Sequence, residues 1–95
     1  MVKAIYFIKR KPGMELGAFR EYWLNQHAAV VRTVPALRRY VQSHTLDSGY
    51  RRGEPIYDGV AELWYDDTAT MRRIAATPQS RAAAADDQKF LDMSN

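Results

Sequence analysis

Apolar residues along this chain recur in two rhythms. Val2, Ala4, Tyr6 and Ile8 alternate with Lys3, Ile5, Phe7 and Lys9, the two-residue period of a strand whose faces are both largely apolar. Lys11-Pro12-Gly13-Met14 breaks that strand and turns the chain. The period then lengthens. Leu16, Phe19, Trp23, His27 and Val30 follow at three- and four-residue steps and predict the buried stripe of an amphipathic helix, starting near Glu15 and fading near Arg32. Val34-Pro35 lies beyond it, because the residue before a proline avoids helical geometry.

Alternation returns from Arg38 to Leu46, with Tyr40, Gln42 and His44 on one face and Val41, Ser43 and Thr45 on the other. The 47–56 stretch, with two glycines and a proline, reads as a loop longer than most hairpin connections, of the kind that forms a rim or lid. Tyr57 to Tyr65 predicts a third strand, Gly59, Ala61, Leu63 and Tyr65 facing one way and Asp58, Val60, Glu62 and Trp64 the other. Asp66-Asp67-Thr68 supplies caps for a second helix with Met71, Ile74 and Ala75 inward. Thr77-Pro78 restarts the helix through Ala82 to Ala85, and Phe90 to Met93 suits a short last strand. The order β-α-β-β-α-(α)-β is that of an α+β, ferredoxin-like split βαβ fold: a four-stranded antiparallel sheet with helices on one face.

Composition narrows the function. A chain of 95 residues predicts one domain, 1–95, too small for a second core and a natural candidate for self-association. No apolar run reaches the about 18 residues a membrane span requires, and Lys9, Arg10 and Lys11 interrupt anything resembling a signal peptide. The absence of cysteine removes disulfides, thiolate nucleophiles and thiolate metal sites, and a cytoplasmic location is expected. The net charge of +3 comes from scattered pairs, Arg38-Arg39, Arg51-Arg52 and Arg72-Arg73, interleaved with carboxylates. That is a solvated surface, with no nucleic acid and no membrane as partner.

His27 carries the candidate chemistry. It sits on the apolar stripe one turn after Trp23, where an imidazole needs either a partner or a purpose. It reads as a general acid/base in a pocket or as a core histidine bonded to a carbonyl or tyrosine. Tyr40 reads as a donor to a ligand oxygen or as a ring anchored between sheet and helix. His44, on the same face but nearer the loop, reads as a rim residue. Trp23 and Tyr6 are core residues able to form pocket walls. Glu62 faces away from Leu63 and has a structural reading. Two histidines that are not four apart on one helix make no metal site, and Gly49 and Gly53 lack the strand-to-helix context of a phosphate loop. No cofactor is expected.

In this setting the chain resembles the EthD family of the dimeric α+β barrel superfamily. The resemblance rests on Lys3-Ala4-Ile5-Tyr6-Phe7-Ile8 with Lys11-Pro12-Gly13, and on Phe19…Tyr22-Trp23…His27-Ala28. Pro35-Ala36-Leu37…Tyr40-Val41-Gln42 and Tyr57-Asp58-Gly59-Val60-Ala61-Glu62-Leu63-Trp64 complete it. It implies a homodimer whose two sheets pack face to face, Glu62 toward that interior. Each protomer would keep a pocket between its own sheet and helices, lined by Tyr6, Trp23, His44, Ala61, Leu63 and Tyr65, with His27 and Tyr40 as the catalytic pair.

The family shares no single reaction. A characterised relative, 4-methylmuconolactone methylisomerase, isomerises a lactone without a cofactor, with histidine and tyrosine at the positions of His27 and Tyr40. A cysteine stands there where this chain has Leu63, so the same route is not implied. Fungal relatives are associated with dehydration in polyketide pathways. The resemblance implies cofactor-independent isomerisation, dehydration or cyclisation of a small apolar, aromatic, polyketide-like or lactone compound. The contrasting reading is a non-catalytic ligand-binding or accessory protein of a catabolic or biosynthetic pathway. Cofactor-free oxygenase chemistry ranks behind both, and the second helix, Asp67 to Ala76, has no histidine to bind haem.

Overall fold

The computed structural model describes residues 1–94. Strands β1 (Val2–Ile8), β2 (Arg39–His44) and β3 (Gly59–Tyr65) form one antiparallel sheet in the order β1-β3-β2. Helix α1 links β1 to β2 in three consecutive segments: α-helical over Leu16–Glu21, π-helical over Tyr22–His27 and α-helical over Ala28–Val31. Helices α2 (Thr68–Ile74) and α3 (Pro78–Asp87) follow β3. Their starts are capped as the sequence predicts: Asp67 accepts the N–H of Thr70, and Thr77 accepts that of Ser80 with Pro78 in the first turn.

The register Tyr6–Ala61–Gln42 and Ala4–Leu63–Tyr40 places the expected residues on the helix-covered face. Ile8, Ala61, Phe19, Trp23 and Phe90 form one core cluster there; Val34, Tyr65 and Ile74 form a second. The opposite face carries Ile5 and Phe7, which are 50% and 63% exposed, beside Val41, Val60 and Trp64. Glu62 lies on this outer face and pairs with Lys3 at 2.9 Å.

The expected fourth strand does not form, and among the described residues the sheet has three strands. After α3 the chain passes through a turn that buries Phe90 completely, and only an isolated bridge joins Leu91 to Arg10. Two backbone bonds make that contact: Lys11 N–H donates to Phe90 O, and Asp92 N–H to Lys9 O, both at 2.8 Å. The partner segment lies past the end of β1 and runs at once into the Pro12-Gly13 turn, so no ladder can extend.

Two buried positions differ from the helical pattern. Val31, not Val30, ends the α1 stripe, so Phe19, Trp23, His27 and Val31 are all buried at four-residue steps. In a regular helix a four-residue step overshoots the turn by about 40°. The wider i→i+5 turn of the π segment absorbs the overshoot and keeps the stripe in line. In α2, Ala75 is exposed because the short helix ends at Ile74; Thr70 and Ile74, one turn apart, face inward instead. Among the described residues, no helix is long and apolar enough to cross a membrane.

Candidate acid–base site

A cavity of about 710 Å³, within the size range of small-molecule sites, lies between the sheet and the helices and opens around the β1 edge, where Ile5, Phe7 and Tyr57 also line it. Tyr6, Trp23, His27, Tyr40, Ala61, Leu63 and Tyr65 all line it, joined by Met71, Ile74 and Phe90. His44 does not line it. Its ring stacks on Trp23 at 4.3 Å, and burial, with Arg20 adding, lowers its pKa. The 47–56 loop is likewise absent from the cavity wall. Arg20 holds it through Asp47 at 2.6 Å, and the Tyr50 hydroxyl donates to Asp58 at 2.7 Å. Asp58 is almost fully buried and accepts both the backbone N–H and the guanidinium Nη1 of Arg10; Nη1 and Nη2 also donate to Glu54, and Nε to the Met14 carbonyl. The loop is therefore clamped at the end of β1 and the start of α1, away from the cavity.

Trp23 owes its position to Gly59. A Cβ there would stand 2.5 Å from the Ser43 carbonyl oxygen and 2.7 Å from the indole ring, so the strand lets the ring lie flat only where it has no side chain. The Trp23 carbonyl in turn accepts from the Gln42 amide at 2.7 Å. The same amide nitrogen donates to the Tyr40 hydroxyl oxygen at 2.8 Å, and Gln42 Oε1 accepts from His44 Nε2 at 2.9 Å. With its oxygen already accepting, the Tyr40 hydroxyl is free to give its hydrogen to the cavity. Burial is the main cause that pushes this phenol up, so it stays protonated.

His27 is held from α3. Its Nδ1 lies 2.7 Å from Asp86 Oδ2, and its Nε2 lies 3.2 Å from Asp87 Oδ1. Phe90 covers the ring at 4.7 Å. Asp86 also accepts the Tyr22 hydroxyl at 2.6 Å. Burial raises the Asp86 carboxyl, but the bonds from Tyr22 and His27 outweigh it and hold the group below the ordinary carboxylate range. Tyr22 is correspondingly pushed up to about 12, chiefly by its bond to Asp86. Asp87 moves the other way: burial raises it and the Asp86 charge adds, against the opposing pull of His27. A carboxylate that accepts two short bonds fixes the proton of the imidazole on Nδ1, leaving Nε2 as the nitrogen able to exchange.

Asp86, Asp87 and Gln42 are absent from the sequence-level site. Gln42 was visible only as a polar residue on an otherwise packed face. The two aspartates carried a clearer signal: paired carboxylates in the last turn of a helix oppose its dipole, a local conflict that a tertiary partner must offset. The alanine run ahead of them brings α3 close, Ala83 and Ala84 lining the cavity beside Asp87.

Sheet, helices and cavity together define an α+β protein with a ligand-sized space between its layers. The sequence model of the EthD domain matches residues 11–94, and the chain belongs to the EthD family. Its structure is similar to that of an ethyl tert-butyl ether D (EthD) family protein from Bacillus halodurans C-125, at a TM-score of 0.78 and 26% sequence identity. The match covers 96% of this chain and 88% of that one. No curated protein matches the chain significantly.

Proposed function

We propose that this EthD protein is a single-domain, ferredoxin-like protein that binds a small, largely apolar molecule in the cavity and performs cofactor-independent acid–base chemistry on it. Isomerisation, dehydration or cyclisation of an aromatic, polyketide-like or lactone compound fits the site. The observation that carries this reading is the convergence of His27, Tyr40 and Asp87 on one apolar-walled cavity. Tyr40 donates to a ligand oxygen, and the imidazole moves the proton; such transfer contributes typically 10²–10⁴-fold to a rate. The apolar walls Ala61, Leu63, Met71 and Ile74 take up the body of the ligand. Screening lactones, phenols and polyketide-like aromatics by Trp fluorescence and by turnover tests the reading. His27→Ala should abolish turnover with affinity mostly kept; absence of any saturating ligand would overturn it.

A second reading, a non-catalytic binding protein, is favoured by one observation: both imidazole nitrogens already face carboxylates. On that reading His27→Ala weakens binding and no turnover is found. Under either reading we propose a homodimer through the outer sheet face, where Ile5 and Phe7 leave apolar surface exposed beside Trp64. Phe7→Glu should convert it to a monomer in sedimentation; a wild-type chain that sediments as a monomer refutes it.

A further inference from the structure

We propose that Gln42 is a positioning residue that sets ligand specificity: it fixes the Tyr40 hydroxyl as a hydrogen-bond donor, so the ligand presents an acceptor oxygen there, a ketone, lactone or ester carbonyl. The ligand half of this inference rests on the small-molecule reading above, whereas the direction of the hydrogen bonds is a property of the protein alone.

One backbone atom sets that direction. The Trp23 carbonyl can only accept, so the Gln42 side-chain atom 2.7 Å from it is the amide nitrogen; turning the amide over would set two oxygens against each other. That nitrogen has two hydrogens. One goes to Trp23, and the other to the Tyr40 oxygen at 2.8 Å. Gln42 Oε1 is left to face His44 Nε2 at 2.9 Å, and because an amide oxygen only accepts, Nε2 carries a hydrogen. His44, stacked on Trp23 outside the cavity wall, closes the chain at that end. At the other end Tyr40 lines the cavity, and among the described residues its own hydrogen meets no acceptor.

Ligands are told apart by this arrangement. A carbonyl oxygen takes the Tyr40 hydrogen, and the bond strengthens as negative charge gathers on that oxygen. A hydrocarbon of the same shape leaves the hydrogen without a partner. Gln42 is not part of the cavity wall, so it acts on the ligand only through Tyr40.

The His44 tautomer reads the direction with no ligand present. Burial, with Arg20 adding, lowers the His44 pKa, so at neutral pH the ring is largely uncharged and holds one hydrogen. Long-range ¹⁵N–¹H correlation spectra of the full chain labelled with ¹⁵N-histidine should show it on Nε2. A hydrogen on Nδ1 instead would mean an inverted amide and a Tyr40 that donates to Gln42, and it overturns the proposal. The ligand half is read with 1-indanone and indane, which differ by one carbonyl, as affinities from NMR shift titration. The ketone-to-hydrocarbon affinity ratio should fall roughly fivefold from wild type to Tyr40→Phe, the loss of one hydrogen bond. It should fall as far in the isosteric Gln42→Glu. The new carboxyl has at most one hydrogen, which the Trp23 carbonyl takes, and so it accepts the Tyr40 hydrogen in the ligand's place. A ratio that Gln42→Glu leaves at the wild-type value overturns the role of Gln42. If that variant does not fold, the wild-type tautomer and the Tyr40→Phe ratio decide. Failure of both probes to bind a wild type whose His44 carries its hydrogen on Nε2 would overturn the ligand half and count against the small-molecule reading, with the direction of the hydrogen bonds intact.

Discussion

Replacing Asp86 with alanine removes the one acceptor that serves both His27 Nδ1 at 2.7 Å and the Tyr22 hydroxyl at 2.6 Å. Leaving a buried donor unsatisfied costs about 1–3 kcal/mol. Tyr22 is half-buried, so water can reach its hydroxyl and its share falls at the low end. The imidazole can shift its hydrogen to Nε2, which faces Asp87 at 3.2 Å and the cavity; this limits the second share but reverses the tautomer. Lys89, 3.5 Å from Asp86 and 69% exposed, adds little. The sum is about 2–3 kcal/mol, which lowers the Tm of a domain this size by roughly 10–20 °C. Asp86→Asn can still accept from Tyr22 and costs about 1 kcal/mol. Circular dichroism melts at neutral pH measure both. The pH dependence has a definite sign: a carboxyl held below its ordinary value in the fold stabilises above the unfolded pKa, about 4, and loses that contribution as pH falls through the folded one. The gap between wild type and Asp86→Ala should therefore narrow in acid. An alanine variant melting within about 4 °C of wild type, or one no worse than asparagine, would refute the account of Asp86 as a buried double acceptor.

Gly59→Ala should cost about 2–3 kcal/mol, because the new Cβ meets backbone and a fully buried indole at under 3 Å; urea midpoints check it. Arg10→Ala should cost about 3 kcal/mol by removing the guanidinium from the buried Asp58 carboxylate, which then keeps only the Tyr50 hydroxyl, a backbone N–H and the more distant Lys9, and limited proteolysis should then cut in 47–56, which that cluster clamps. Tyr22, pushed up to about 12 in the fold, contributes stability that is complete below about pH 10 and lost as pH rises through about 12. Tyr22→Phe should flatten the alkaline limb of the stability profile in that window, and an unchanged limb would count against the bond to Asp86.

The periodicities were enough to place three strands, three helices and two side-chain caps, because each depends on contacts within a few residues. The helix-side positions of Tyr40, Ala61, Leu63 and Tyr65 follow from alternation in the same way. What stayed hidden depends on longer reach. Leu91 has the composition of a strand residue, yet Phe90 draws the segment into the core before a ladder can start. Val30 and Val31 are equally apolar, and only the π turn decides which is inside. Asp86 and Asp87 look like helix-end surface charges until α3 packs on α1 and sets them against His27.

Both hydrogen-bond chains of the site leave the same six residues of α1, Tyr22–His27. One runs from the Trp23 carbonyl through Gln42 to the Tyr40 hydroxyl and ends at the sheet side of the cavity. The other runs from His27 and Tyr22 to Asp86 on α3. A regular helix would rotate His27 out of line with Trp23, and one of the two chains would lose its partner. The π turn, a geometry often found at functional sites, is what lets a single helix face serve the sheet and α3 together. It also explains why Gly59 matters to side chains on the far side of Trp23: the strand that yields to the indole fixes the carbonyl on which Gln42, and through it Tyr40, depends. The proposed acid–base groups are thus oriented by packing that contains no ionisable atom, and a substitution in that packing should disturb Tyr40 before it disturbs the Asp86–His27 pair.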